Sequence, residues 1–484
     1  MGCAPTSPDR VADLLAELAT RSVVIAGFGV EGRDVFRFLR ARFPRKVLAI
    51  AEMRARAALD PEGRALIEGD RHVRWHHGVD HLERVAAYDV AFRSPGIPWG
   101  HPALQAARER GTTMSSQTAL FLALRSQRVI GVTGTKGKST TSALIHAVLR
   151  AAGRESHLVG NIGADLGGAA PLESLAHASE RATFVYELSS FQLEGLTQSP
   201  DVAVLLDVVP EHLDHHGGFE AYVAAKETIT RHQSARDWLV YDAMSVTATA
   251  IAERSPAQLM PCRVDRAVER GVFVEDDQRV VFAAAFGREN VMLVSDATRV
   301  LPGRFNLRNV LPAVAVARIL SIDSAAVMRA LDAFEPLRDR FEQVGTYRGI
   351  TFYNAAIATV PEATIAHLTA LAPRVSTLIL GGVDRGVDYG ALARRILNDR
   401  LATLILFPDT GARVWDALDK LGGPRRPRRV DVTDMEAAVR AAYELTPRGS
   451  ICLHSPAAPS RGGLFASYAE RGAQYRDWVE RLGA

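Results

Sequence analysis

Lysine is nearly missing from this chain of 484 residues: of its 58 basic side chains only Lys46, Lys136, Lys138, Lys226 and Lys420 are not arginine. An ammonium is a compact point charge whose pKa moves with its surroundings, whereas a guanidinium is planar and permanently charged. The places where lysine survives are therefore the places to look for chemistry that arginine does not perform. Cysteine is equally scarce. Cys3, Cys262 and Cys452 are odd in number and far apart, which indicates neither a disulfide framework nor a zinc site and fits a reducing cytoplasm. No run reaches the roughly 18 apolar residues of a membrane span, and the opening "MGCAPTSPDRVADLL" has no apolar stretch of signal-peptide length. Its Met-Gly-Cys is too short a match to count as a lipidation start. An excess of one charge is lacking too: 58 basic against 55 acidic residues leave +3, which makes no case for a nucleic-acid or polyanionic partner. There are no low-complexity tracts. A cytoplasmic protein with no membrane partner is the expectation.

What is present is an ordinary globular composition, 47% hydrophobic and 23% charged, in a chain too long for one core, so two to four domains are expected. Three successive systems of β-branched strand, glycine turn and helix predict an α/β protein with parallel sheets throughout. The first contains "RSVVIAGFGVEGRDVFRFLRARF", where Gly27-Phe28-Gly29-Val30-Glu31-Gly32 follows a strand and opens a helix. Bare amides at a helix N-terminus suit a nucleotide phosphate, and the same glycines equally make a tight βα turn. Glu52, on the next strand, is placed for a ribose or base contact. "YDVAFRSPGIPWG" then reads as a strand ending in a Ser94-Pro95-Gly96 turn. An amphipathic helix is expected near 306–320, and "KLGGPRRPRRVDV" (420–432) reads as a solvated loop.

The second system opens with the strand Val129–Thr133 and the loop Gly134-Thr135-Lys136-Gly137-Lys138-Ser139, followed by a helix. A full Walker spacing would have glycine at Val132, so this is a shorter G-x-x-G-K-S variant. Its N–H groups can surround phosphate oxygens, with Lys138 on the β/γ-phosphates and Ser139 or Thr140 on Mg²⁺. Downstream lie Glu187 in "VYELSSFQLE", His212 in "PEHLDHHGGFE" and Lys226 in "AYVAAKETI". Acid, imidazole and lysine suggest a magnesium site. Mg²⁺ prefers oxygen to an amine, so Lys226 would serve it as a carbamate, which arginine cannot form; an ordinary salt bridge explains the lysine as well. Singly, each of the three reads equally as a structural residue.

Taken together these segments resemble the Mur ligase family, and within it the branch that adds glutamate. The resemblance is carried by "GFGVEG", "SPGIP", "VTGTKGKSTT", "GNIG", "ELSSFQLE", "EHLDHH", "AAK", "GRFNLRNVLPAVAVA", "ATVPEAT", "LGGVDRGVDY" and "HSPAAPS…YAERG", in family order over nearly the whole chain. It implies three domains: a Rossmann-like 1–116 holding UDP-N-acetylmuramoyl-L-alanine, a P-loop-type ATPase domain 117–336, and a Rossmann-like 337–484 holding glutamate. It also implies a monomer working in peptidoglycan precursor synthesis with ATP and Mg²⁺. ATP would phosphorylate the alanyl carboxylate, and the glutamate amine would attack the acyl phosphate. By the same resemblance Gly134, Thr135, Lys136, Gly137, Lys138 and Thr140 hold nucleotide, while Ser139, Glu187, His212 and a carbamoylated Lys226 hold magnesium. Asn309 lies on the adenine side and Arg340 contacts nucleotide. Gly27, Phe28, Gly29, Val30, Glu52, Ser94 and Asn161 face the muramoyl substrate. Thr359, Arg385, Ser460 and Tyr468 face glutamate, with Arg385 standing where the family has lysine and able to take a carboxylate bidentately.

The pattern breaks in the third system. Family members carry Asn-Asp-Ser-Lys or, in a subgroup, Asn-Asp-Ser-Ile, where this chain reads Asn354-Ala355-Ala356-Ile357. A carboxylate expected on the nucleotide and a neighbouring hydroxyl are gone, and one lost positioning contact can cost orders of magnitude in rate. Asp339 stands where histidine is frequent, and "SRGGLFASY" has one extra residue, which aligns Tyr468 rather than Phe465 with the family's aromatic. An active subgroup member, a weakened paralogue and an introduced substitution all fit. Some subgroup members add L-glutamate; D-glutamate is the default. The alternatives are a disabled, binding-only relative and, further off, a folylpolyglutamate synthetase, which gives no reason for the "GFGVEG" segment.

Overall fold

The computed structural model describes residues 8–484 apart from 286, 400, 423–425 and 461–462. Cys3 and the Met-Gly-Cys start lie outside the described residues. The chain divides into two compact units, one of Met1–Val294 with Arg308–Ala333 and one of Ser295–Leu307 with Phe334–Ala484.

The first unit holds two sheets. Strands β1 (Val23–Ala26), β2 (Leu48–Ala51), β3 (Val73–His76), β4 (Val90–Arg93) and β5 (Thr113–Ser115) form a parallel sheet in the order β3-β2-β1-β4-β5. Its central strands are short apolar runs buried along their whole length, as expected when helices cover both faces. The order reverses between β1 and β4, and the crevice outside their carboxyl ends is where such sheets take ligands. Both glycine-rich turns noted in the sequence, 27–32 and 94–96, leave the sheet at that point.

The next strands are β6 (Arg128–Thr133), β7 (Ser156–Gly160), β8 (Thr183–Glu187), β9 (Val202–Leu205), β10 (Trp238–Asp242), β11 (Gln258–Arg263), β12 (Gly271–Glu275), β13 (Arg279–Ala284) and β14 (Gly287–Leu293). They form one sheet in the order β14-β13-β12-β11-β10-β9-β6-β8-β7. Strand β6 lies between β8 and β9, so the loops leaving all three meet at one edge. The expected helix near 306–320 spans Leu307–Ile319.

The second unit holds β15 (Glu342–Tyr347), β16 (Ile350–Asn354), β17 (Val375–Gly382), β18 (Thr403–Asp409), β19 (Arg428–Asp431) and β20 (Ile451–His454), ordered β15-β16-β20-β17-β18-β19.

Parallel pairing throughout was the expectation, and it fails in two places. Strands β12, β13 and β14 run antiparallel, as do β15 and β16. Asp276 and Asp277, both at positive φ, reverse the chain after β12, and Arg348-Gly349 does so after β15, the geometry that tight hairpins need. The stretch 420–432 is also not wholly loop: Arg428–Asp431 pairs with β18 as the edge strand, where its charges suit an exposed sheet margin. Residues 423–425 of that stretch lie outside the described residues.

Candidate active site

The loop after β6 is shaped by glycines that nothing larger replaces. Gly134 has φ +152, and a Cβ there would lie 2.6 Å from Leu206 Cβ; Gly137 has φ +85, and its Cβ would lie 2.3 Å from Asn309 Oδ1. The bend brings the chain into the helix Lys138–Ala151 with its first-turn amides facing the loop, the arrangement that receives phosphate oxygens. Thr135 anchors the loop from below. Its N–H donates to Asp207 O at 2.7 Å, and its hydroxyl bonds the Val209 carbonyl at 3.0 Å and the Tyr222 hydroxyl at 2.9 Å. The Lys138 ammonium folds over the loop and donates to Gly134 O and Thr135 O at 3.1 and 3.0 Å. Lys136 points outward to Glu211, 2.8 Å away.

The four residues expected to serve magnesium come from neighbouring elements. Glu187 ends β8 opposite Val132 of β6. Its Oε1 accepts from Asn161 Nδ2 at 3.1 Å, and its Oε2 is buried without a hydrogen-bond partner among the described residues. An anionic oxygen orphaned in the interior is what a hard cation satisfies. Ser139 is buried in the first helical turn of the same loop. The donors therefore fit Mg²⁺. His212 has left-handed backbone, φ 54 and ψ 35, a costly conformation for a side chain of its size. Burial pulls its pKa below the ordinary histidine value against the pull of Glu211, and the charges of Lys138, Lys136 and Lys226 add to the fall, so the ring is neutral at pH 7.

Lys226, on the helix Phe219–Arg231, is 1% exposed. Its amine donates to Gly134 O at 2.8 Å and lies 4.8 Å from the centre of the Tyr222 ring. Burial, followed by the Lys138 charge, holds its pKa well below the usual amine value. No carboxylate pairs with its amine among the ion pairs of the described residues, so a salt bridge does not explain this lysine. Asn309 leans on the same loop, its Oδ1 3.4 Å from the Thr141 hydroxyl.

The residues expected to face the muramoyl substrate, apart from Asn161, cluster at the crevice of the first sheet. Gly27 has φ +88 and would press a Cβ 2.7 Å from Ser94 Oγ; Gly32 packs so close that a Cβ would fall 2.1 Å from Gly27 O; Gly29 faces open space. The Ser94 hydroxyl donates to Gly27 O at 2.9 Å, and Glu52 accepts from the Phe28 N–H at 2.9 Å. Val30 is 81% exposed beside them.

In the second unit the residues expected to face glutamate spread over the segments after β16, β17 and β20. Thr359 is half-buried, Arg385 exposed and Ser460 buried. Tyr468 is 38% exposed, while Phe465 is packed in the core against Phe407. Arg340 is half-buried with its Nε shut off from solvent and unpartnered among the described residues. Ala355 and Ala356 are wholly buried, Ala355 among Phe341, Tyr353 and Leu368. The polarity missing there is supplied around them. Asn354 Oδ1 receives the Ala356 N–H at 3.2 Å and a His454 Nδ1 contact at 3.0 Å, while Asn354 Nδ2 donates to Asp339 at 2.8 Å.

Two residues of consequence went unread in the sequence. Arg93, at the end of β4, has a side chain 1% exposed and ion-paired with Glu194 at 3.2 Å. Arg471 is completely buried and donates to the carbonyls of Ala356, Ala458 and Gly381 at 2.7, 3.1 and 3.5 Å, tying the loops after β16 and β20 to the end of β17. An arginine inside an apolar strand, "VAFR", was the only available signal for the first, and "YAERG" gave none for the second.

Residues 132–317 match the family model of the Mur ligase middle domain, and 339–458 that of the Mur ligase, glutamate ligase domain. A UDP-N-acetylmuramoylalanine–D-glutamate ligase of Symbiobacterium thermophilum is 37% identical over 473 residues, covering 96% of this chain and 99% of its own. A UDP-N-acetylmuramoyl-L-alanine–L-glutamate ligase of a Micromonospora species is 36% identical over 475 residues, covering 96% and 98%. The crystal structure of the MurF ligase of Thermotoga maritima in complex with ADP shares the fold, with a TM-score of 0.56 at 16% identity over 96% of this chain and 98% of that one.

Proposed function

The chain belongs to the Mur ligase family, and on that premise we propose that it is an ATP-dependent ligase joining glutamate to UDP-N-acetylmuramoyl-L-alanine in peptidoglycan precursor synthesis. The observation that carries the reading is the meeting, at the carboxyl ends of adjacent strands, of a bare-amide loop, a buried amine of lowered pKa and an orphaned carboxylate. An alanyl carboxylate is a poor electrophile. Transfer of the γ-phosphoryl of ATP to it makes an acyl phosphate and ADP; the glutamate amine then attacks the acyl carbon, phosphate leaves, and the amine gives up a proton. Catalysis of such transfers is mostly positioning and charge neutralisation.

The loop amides and Lys138 bind the phosphate chain. Glu187, Ser139 and His212 would hold magnesium, which supplies charge neutralisation between phosphate oxygens and carboxylate. A neutral amine is the form that adds CO₂, so the low pKa of Lys226 supports its carbamate, an oxygen ligand where an amine would not serve. The crevice at Gly27–Gly32, Glu52 and Ser94 receives the UDP-sugar, with Asn161 nearer the reacting carboxylate. Thr359, Arg385, Ser460 and Tyr468 receive glutamate, and Asn309 and Arg340 the nucleotide. The proposed domains are 1–116, 117–336 and 337–484. D-glutamate is the proposed enantiomer, the protein a cytoplasmic monomer; no helix among the described residues is long and apolar enough to cross a membrane. The buried, Asn354-capped setting of Ala355-Ala356 supports an active member over a disabled one.

Phosphate release with ATP, Mg²⁺ and UDP-N-acetylmuramoyl-L-alanine, run in parallel with D- and L-glutamate, tests this. Release with D-glutamate alone is the expected result. Release with L-glutamate alone corrects the enantiomer, and silence with both rejects the ligase.

A further inference from the structure

Burying a guanidinium costs several kcal/mol unless its donors are used, so the partners of Arg93 show what it is for. Its Nη1 donates to Ile97 O at 2.5 Å, in the turn that walls the UDP-sugar crevice, and its Nη2 to Phe191 O at 2.7 Å, in the segment that follows Glu187. Nη1 also pairs with Glu194 Oε2 at 3.2 Å. From Glu194 the contacts continue: Oε1 lies 3.0 Å from His216 Nδ1, and His216 Nε2 lies 2.9 Å from the Ser190 hydroxyl. Burial and the neighbouring cations lower the His216 pKa to about 4, so the neutral ring donates through Nδ1 and accepts through Nε2. Phe191, whose carbonyl Arg93 holds, packs its ring 4.9 Å from His212, 4.2 Å from His215 and 5.3 Å from His216.

The donor atoms of Glu194, His215 and His216 lie within 4.8 Å of one another, a spacing that also suits a metal ion. Arg93 pairs with Glu194 and Ser190 occupies His216, while Glu194 Oε2 and His215 Nε2 are buried without a hydrogen-bond partner among the described residues; the tie that Arg93, Glu194 and His216 make between segments does not depend on an ion. A second tie runs alongside. Gln192 Nε2 donates to Glu31 Oε1 at 2.6 Å, joining the same segment to the glycine turn at the mouth of the crevice.

We propose that Arg93 is a positioning residue that sets the distance between the UDP-sugar crevice and the carboxylate-activating groups. The substrate gripped after β1 and β4 must present its far carboxylate to groups carried after β6 and β8, and a misplacement of about 1 Å costs on the order of 10²-fold in rate. Arg93 is the one side chain described here that bonds the main chain of both segments. The inference rests on the ligase reading above, and it adds a residue to which that reading gives no role.

The test compares wild type with Arg93→Met, Arg93→Lys and Glu194→Gln, using phosphate release for turnover and calorimetry for binding of UDP-N-acetylmuramoyl-L-alanine. Thermal melting confirms that each variant is folded. In Arg93→Met, kcat is expected to fall by about 10²-fold, with the UDP-substrate Kd and the KM for ATP changed less than about threefold; Arg93→Lys recovers part of the loss. Glu194→Gln, which keeps the shape and frees Arg93, falls by about tenfold. A folded Arg93→Met at wild-type kcat overturns the proposal, as does a loss lying wholly in affinity for the UDP-substrate, which would make Arg93 a binding contact. Should Arg93→Met fail to fold, wild-type kcat in both other variants overturns it. Silence of the wild type itself is a different result: it rejects the ligase reading first, and the positioning role with it.

Discussion

The loop after β6 and the loop after β16 both leave buried strands that have a parallel neighbour, and they handle the exit in opposite ways. The first puts its chemistry in its own residues: glycines at positive φ, two lysines, and a third lysine leaning in from another helix. The second has little of its own beyond Asn354 and Thr359. Its alanines are sealed in the core, and polarity arrives from Asp339, His454 and Arg471, all distant in sequence. A group that transfers or neutralises charge must sit where the substrate is, whereas a group that only holds a turn can be lent by a neighbour. The first kind of position resists replacement. The second allows alanine wherever the surrounding structure carries the hydrogen bonds.

That contrast is open to direct attack. Lys138→Ala should reduce phosphate release by about 10³-fold, the scale on which removal of a preorganised charge partner acts, with an unchanged melting midpoint; turnover near wild type would erase the distinction between the loops. Lys226→Ala should lose about 10²-fold, with partial recovery on adding a short carboxylate such as acetate, measured by the same assay. Ala355→Asp should do the reverse, sparing the phosphate loop and costing about 3 kcal/mol of stability in urea titration, because a carboxylate there is buried without a partner. The cost should shrink as pH falls and the new carboxyl protonates. A gain in activity at unchanged stability would mean that the site after β16 lacks a contact and is not merely rearranged.

The smallest effect concerns Glu31, whose carboxyl burial raises from 4.5 to about 7, against the Gln192 hydrogen bond. Between those values the unfolded chain has released a proton that the folded protein keeps. Stability should therefore decline as pH rises from about 4.5 through 7 and level off above. Glu31→Gln should flatten that slope in melting experiments across the window.

The phosphate loop was legible because its information is local: an apolar strand, glycines and a helix within a dozen residues. Glu187, His212 and Lys226 were legible only as a set, since each alone looks structural. Strand direction was not. An apolar run reads the same in either sense, and the antiparallel turns rest on Asp276-Asp277 and Arg348-Gly349, of which only the second contains glycine. The Arg93–Glu194 pair and the Arg471 clamp were illegible for another reason. Apart from Glu194, the partners of Arg93 and Arg471 are carbonyl oxygens, which every residue has, so no side-chain pattern marks them. The burial of Ala355 and Ala356 likewise depends on packing from residues such as Phe341, Leu368 and Gly472, not on the four-residue motif where the departure was noticed.

The lysines differ in one more respect, how far each amine stands from bulk water. Lys136 is 57% exposed on its side chain and Lys226 is 1% exposed. In a chain with so few amines, this grading turns the active region into a sieve for electrophiles. A bulky acylating reagent is restricted to the rim lysine, whereas a slim linear molecule such as cyanate has the better chance of reaching the inner one. The ratio of the two modifications, read by mass spectrometry without any attached probe, then reports how often the loop breathes open.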